Sequence, residues 1–191
     1  MSNLTRILLA TLCGLVLAAG VHIAAVFMAP SFAENDAFGR LQDTLAEDQA
    51  QIISPPGGGA TWLPLPDPAT AVAACAFDLS DGPVRVTAKT GQDFLSFSFH
   101  TKTRGVFFAV TDRAAIRGEL ELVVMTPRQL DEARAAEDPN EPTRDVRIVA
   151  PQEQGYIVVR VAAPYPSERM QAEEAAKAVS CTVDEDEDEA S

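Results

Sequence analysis

The chain has 191 residues, 47% of them hydrophobic, and a formal net charge of −13 from 28 acidic against 15 basic residues. That excess of carboxylates repels phosphate backbones and argues against nucleic acid as a partner. The length suits one ordinary domain, because part of the apolar content is concentrated near the N-terminus and cannot be counted toward a core.

From Ile7 to Ala29 no Asp, Glu, Lys or Arg interrupts the sequence. At ~1.5 Å per residue a helix of that length spans a hydrocarbon core of ~30 Å, so residues 7–29 are expected to contact membrane lipid. Arg6 precedes the span, whereas Glu34 and Asp36 follow it. This bias places the N-terminus in the cytoplasm and the rest of the chain outside, in the periplasm of a bacterial inner-membrane protein. Ser31-Phe32-Ala33 before Glu34 also fits a signal-peptidase site, but the apolar stretch exceeds the roughly 7–15 residues of a signal core, which favours an uncleaved anchor. Cys13 lacks the small preceding residue that lipoprotein processing needs, and His22, near the far end of the span, reads as a neutral imidazole reaching headgroups or water.

Beyond the span, Phe38, Leu41, Leu45 and Ile52 recur at helical spacing among charged residues, predicting a narrow amphipathic helix that could pair two copies or extend the membrane helix. "PPGGGATWLPLPDP", residues 55 to 68, carries five prolines and three glycines and reads as a linker. From Phe77 the period changes to two: Leu95, Phe97 and Phe99 alternate with serines, and Leu120 and Leu122 alternate with glutamates. "GVFFAVTD", "RDVRIVAP" and "GYIVVRVAAP" add further strands. A capping box, Thr126-Pro127-Arg128-Gln129, predicts a helix from Pro127 to Ala136. A second helix follows Ser167, with an apolar face through Met170, Ala175, Val179 and Cys181. The fold class is therefore mainly β with two helices (α+β), an antiparallel β-sandwich-like domain behind one N-terminal transmembrane helix. Its expected divisions are an anchor (1–33), an amphipathic juxtamembrane helix (34–54), a Pro/Gly linker (55–69), a β-rich exported domain (70–183) and an acidic disordered tail (184–191).

Three cysteines, one of them inside the membrane segment, leave Cys75 and Cys181 in the exported portion. In an oxidising compartment such a pair forms a disulfide; two free thiols or a nucleophile are the alternatives, and the latter would need His100, the only exported histidine, as its base. His100 is expected at a solvated turn. No G-x-S-x-G elbow, phosphate-cradling glycine loop or H-E-x-x-H motif is present, so no catalytic, cofactor or metal residue is assigned. Asp78, Asp81, Asp112 and Arg113, at strand ends and turns, form the candidate interaction surface.

"CAFDLSDGPVRVTA", "FLSFSFHTKTRGVFFAVTDR", "LELVVMTPRQL" and "GYIVVRVAAPYPSER" together resemble a bacterial family of domains of unknown function, over about residues 70 to 182. In its longer members this domain is the N-terminal β-rich half of a two-domain exported protein, and short membrane-anchored versions occur in alphaproteobacteria. The resemblance implies a β-sandwich-like fold and a separate partner chain holding the second domain. It carries over no catalytic residue. The functional expectation is a membrane-anchored binding or assembly module, with a homodimer among its partners; the runner-up is a subunit of a split two-domain envelope enzyme.

Overall fold

The computed structural model describes residues 2–29, 36–91, 93–137 and 145–184. Two compact units emerge, Met1–Asp36 and Ala37–Ser191. The first holds α1 (Asn3–Met28), whose cap is Ser2: its hydroxyl accepts the Thr5 N–H at 3.3 Å. No residue of α1 is buried, and the helix is long and apolar enough to cross a membrane. An apolar surface of that size needs lipid or protein around it to be stable.

The second unit is a sandwich of two sheets. Strands β1 (Gln51–Ser54), β2 (Thr70–Asp78), β8 (Gln154–Ala162), β4 (Leu95–Thr101) and β5 (Gly105–Thr111) form a five-stranded antiparallel sheet in that order. The second sheet runs β7 (Val146–Val149), β6 (Glu119–Met125), β3 (Val84–Lys89), β9 (Ser180–Val183), with β6 and β7 parallel and the other pairs antiparallel. Ala73, Phe77, Phe97, Phe99, Ile157 and Val159 of the first sheet meet Val86, Leu120, Leu122, Val124 and Ile148 of the second in one buried core. The alternation read in the sequence is the physical cause: every second side chain points into the space between the sheets.

β2 departs from that alternation, being buried at every position from Ala71 to Phe77. Both its faces are covered. Its outer face, Val72, Ala74 and Ala76, packs with Val158 and Ile53 under Phe38 and Leu41 of the short helix α2 (Ala37–Leu41). A 3-10 turn, Gln42–Ala46, continues from α2, and its buried Thr44 hydroxyl accepts the Ala76 N–H at 2.8 Å while donating to the Leu41 carbonyl. A hydroxyl thus takes the place of a neighbouring strand beyond the end of β1.

This corrects the expected helix over 34–54. Among the described residues of that range, helical backbone is confined to α2 and the 3-10 turn, Gln51–Ser54 is a strand, and Phe38 and Leu41 are pulled onto the sheet while Leu45 remains 38% exposed. The apolar spacing was real, but tertiary burial used it one turn at a time. The Pro/Gly segment 55–69 likewise belongs to the compact unit, with the Gly57 N–H donating to the Pro68 carbonyl (2.8 Å) and the Trp62 N–H to Ile53 (2.9 Å).

Helix α3 (Pro127–Ala136) begins at the expected capping box, with both reciprocal hydrogen bonds made between Thr126 and Gln129. Helix α4 (Arg169–Lys177) is entered through a 3-10 turn, Pro166–Glu168, rather than from a cap at Ser167. Its buried residues are Ala172 and Ala176, small enough for close approach to the sheet, whereas Met170 is 75% exposed. Cys181 is not on this helix; it lies on β9. Asp184 is fixed by a bidentate pair with Arg85 (3.0 and 2.7 Å), and the remainder of the acidic run lies outside the described residues.

Candidate functional site

Cys75 and Cys181 are bonded, with their Cα atoms 6.7 Å apart. Cys75 is on β2 and Cys181 on β9, so the bond joins the two sheets instead of pinning a helix over a strand. It closes a sequence separation of 106 residues, a loop for which chain entropy gives about 4–5 kcal/mol of stabilisation. Cys13 stays free and exposed on α1.

The four residues of the expected interaction surface fall at two ends of the five-stranded sheet. Asp78 closes β2 opposite Gln154, and at that same end Thr101 of β4 faces Gly155 and Gly105. The Asp78 carboxylate accepts from the Ser80 N–H (3.0 Å), the Ser80 hydroxyl (2.7 Å) and Gln154 Nε2 (2.7 Å). Burial alone would push this carboxyl up, but the bonds from Gln154 and Ser80, with the charge of Lys102, hold it below the usual carboxylate range. Asp81 is exposed in the adjoining turn, where Gly82 and Pro83 face Arg128 and Glu132 of α3 across a groove of about 390 Å³. Gln129 ties that helix to the turn by donating to the Leu79 carbonyl at 2.9 Å.

Asp112 and Arg113 follow Thr111 at the opposite end of β5, roughly 20 Å along the strand. They sit in a 3-10 turn, Arg113 exposed, Asp112 with its Oδ1 buried and without a hydrogen-bond partner. The two pairs are therefore not one surface.

A cluster that sequence reading did not find occupies the outer face of β4 and β8. Arg160 Nη1 donates to the Ser98 hydroxyl at 2.9 Å, and that oxygen lies 3.0 Å from His100 Nε2. His100 is half-buried at the end of β4 and stacked on Tyr156, with ring centroids 4.7 Å apart and planes 11° apart. The expected solvated turn is thus a position on the sheet. Burial, followed by the neighbouring Arg160 charge, lowers the imidazole pKa from 6.5, favouring its neutral form. Ser98 and His100 are two apart and share a face; Arg160 comes from a strand 60 residues on, a juxtaposition set by register. Among the described residues no three His, Cys, Asp or Glu side chains converge as a metal site.

Comparison with known proteins gives a family and a fold. The family described as "Protein of unknown function (DUF1254)" matches residues 49–183. No curated protein matches the chain. The VPA0106 protein of Vibrio parahaemolyticus has a similar crystal structure, with a TM-score of 0.51 at 12% identity over 77% of this chain and 34% of that one. An uncharacterised protein from Burkholderia cenocepacia gives a TM-score of 0.49 at 14% identity over 84% of this chain and 41% of that one. The chain thus spans well under half the length of these structures, and its match to the Vibrio protein is one of fold.

Proposed function

We propose that this chain, which belongs to the DUF1254 family of proteins of unknown function, is an assembly module: a sandwich held outside a bacterial inner membrane by α1 that pairs with a second copy through β5. The membrane placement draws on the apolar helix, on Arg6 before it and acids after it, and on the disulfide, which persists in oxidising compartments.

The observation that carries the assembly reading is the edge of the five-stranded sheet. β5, Gly-Val-Phe-Phe-Ala-Val-Thr, contains no charge and no proline, none of its residues is buried, and among the described residues it has a neighbour only on its β4 side. Soluble proteins commonly blunt such an edge with lysine, proline or a covering loop, because its unpaired N–H and C=O groups recruit another strand. A second copy suits it by charge. In an antiparallel pairing centred on Phe108, Arg104 of each copy meets Asp112 of the other, so both ends of the joint carry opposite charges.

Sedimentation of the full chain in a maltoside detergent tests this. The wild type should form a concentration-dependent dimer, and Ala109→Lys, an exposed edge position, should shift it to monomer with the fold retained. A wild type monomeric throughout, or a dimer indifferent to Ala109→Lys, rejects pairing at β5. Copurification of a different protein, with an activity neither has alone, would support the split-enzyme alternative instead.

A further inference from the structure

The outer face of β5, β4 and β8 forms a small grid. Register places Thr111, Ser96 and Arg160 in one row, Ala109, Ser98 and Val158 in the next, and Val106, His100 and Tyr156 in the third. The intervening residues Phe97, Phe99, Ile157, Val159, Phe108 and Val110 turn inward to the core, so the grid residues point away from it. α2 covers the β2 side of this sheet, and its buried contacts end at Val158 and Tyr156. The grid beyond is a ledge of hydroxyls beside an exposed guanidinium.

The chain is strongly acidic, yet none of the nine grid positions holds an acid. Arg160 has Ser98 as its partner and no carboxylate among the described residues, whereas Arg85, Arg128, Arg147 and Lys177 form six ion pairs with carboxylates. A guanidinium offers five N–H donors, and one bond to Ser98 leaves the others for a ligand. Asp112, the acid adjacent to the grid, turns one carboxylate oxygen into the protein. Lys102, two residues beyond His100 in the turn after β4, donates to Gln154 at 3.1 Å and lies over the Phe38 ring, adding positive charge on the same side.

We propose that Arg160, held by Ser98 and flanked by Ser96 and His100, binds an oxyanion, a phosphate or carboxylate group presented by a soluble molecule or by a lipid headgroup. The guanidinium supplies charge and paired donors, and the Ser96 hydroxyl supplies a further donor beside it, while the Ser98 hydroxyl is engaged with Arg160 and His100 and acts by orienting the arginine. Ser98 accepts from Arg160 and sits against His100, so the arginine is oriented before a ligand arrives. The overall negative charge acts weakly here, since exposed charges more than about 8 Å away are screened at physiological salt. This site does not depend on pairing through β5.

Calorimetric titration of the full chain in a maltoside detergent with inorganic phosphate, against sodium chloride at equal ionic strength, tests the proposal. Wild type should show saturable binding. Arg160→Gln should weaken it about tenfold or more and Ser98→Ala about threefold, as expected for losing charge-assisted and neutral hydrogen bonds. Arg117→Gln, on the turn before β6 and outside the grid, should leave it unchanged. Near-ultraviolet circular dichroism verifies folding, and Arg160→Lys, which keeps the charge, should lie between Arg160→Gln and wild type. Repeating the titration in nanodiscs distinguishes the sources: weaker phosphate binding in phosphatidylglycerol than in phosphatidylcholine discs identifies the headgroup as ligand, and equal binding a soluble anion. Absence of saturable binding, or Arg160→Gln within twofold of wild type, overturns the proposal.

Discussion

The two halves of the five-stranded sheet are built on opposite principles. Around β2, both faces are covered, a disulfide reaches the other sheet, Thr44 satisfies a strand-edge N–H, and α4 packs two buried alanines against the strands. Around β5, the outer face is open, the edge has no neighbour among the described residues, and the nearby polar side chains Arg160, Ser98 and His100 are linked across three rows of the grid. Stability is concentrated where both faces of the sheet are covered, and recognition is available where backbone and guanidinium donors remain. β8 joins the two halves, pairing with β2 on one side and β4 on the other.

The comparison breaks most sharply if the covered half is loosened. Replacing both Cys75 and Cys181 by alanine should cost about 4 kcal/mol in denaturant unfolding, through the loop it reopens. A loss under about 1 kcal/mol would show that the inter-sheet bond is not what holds that half. Gly155→Ala strikes the junction. A Cβ there would lie 2.2 Å from the His100 carbonyl oxygen and 2.4 Å from the Phe77 ring, so β8 must shift away from both neighbours; we expect a loss of about 3 kcal/mol by the same assay.

On the open side the effects are smaller. The His100 pKa is lowered on folding, so below 6.5 the unfolded chain binds more protons than the folded one. Its contribution is present above pH 6.5 and is lost as pH falls through the folded value. Stability should therefore decline as pH falls below about 6.5, and His100→Gln should flatten that part of the profile; Asp78, also lowered, acts only at more acidic pH. The mildest change is at the turn before β6. Arg117 and Gly118 both have positive φ, 57° and 84°, between the bridged residues Ile116 and Glu119. Asparagine tolerates that backbone better, so Arg117→Asn should stabilise by about 0.5 kcal/mol without affecting association.

What the sequence disclosed follows from how local each signal is. The alternation of Leu95, Phe97 and Phe99, and the capping box at Thr126, are complete within a few residues, and β4 and α3 stand where those signals put them. β1 and β9 are four residues each. Neither is long enough to show a period, so Ile52 was absorbed into a helical stripe and Cys181 into the helix before it. The Ser98, His100 and Arg160 cluster depended on strand register across 60 residues, which no spacing encodes. Asp112 and Arg113 were legible as strand-end charges, but that β5 would carry them to the far end from Asp78 was a matter of topology.

Hydrogen exchange of the full chain, followed by mass spectrometry at low and high protein concentration, tests the division of the sheet most directly. The account predicts that β2 and β8 amides exchange slowest at both concentrations, while β5 exchanges readily in dilute protein and becomes protected as dimer forms. If β5 is already as protected as β2 in the dilute monomer, or gains no protection on association, the open edge is not the assembly surface and the contrast between the halves does not hold.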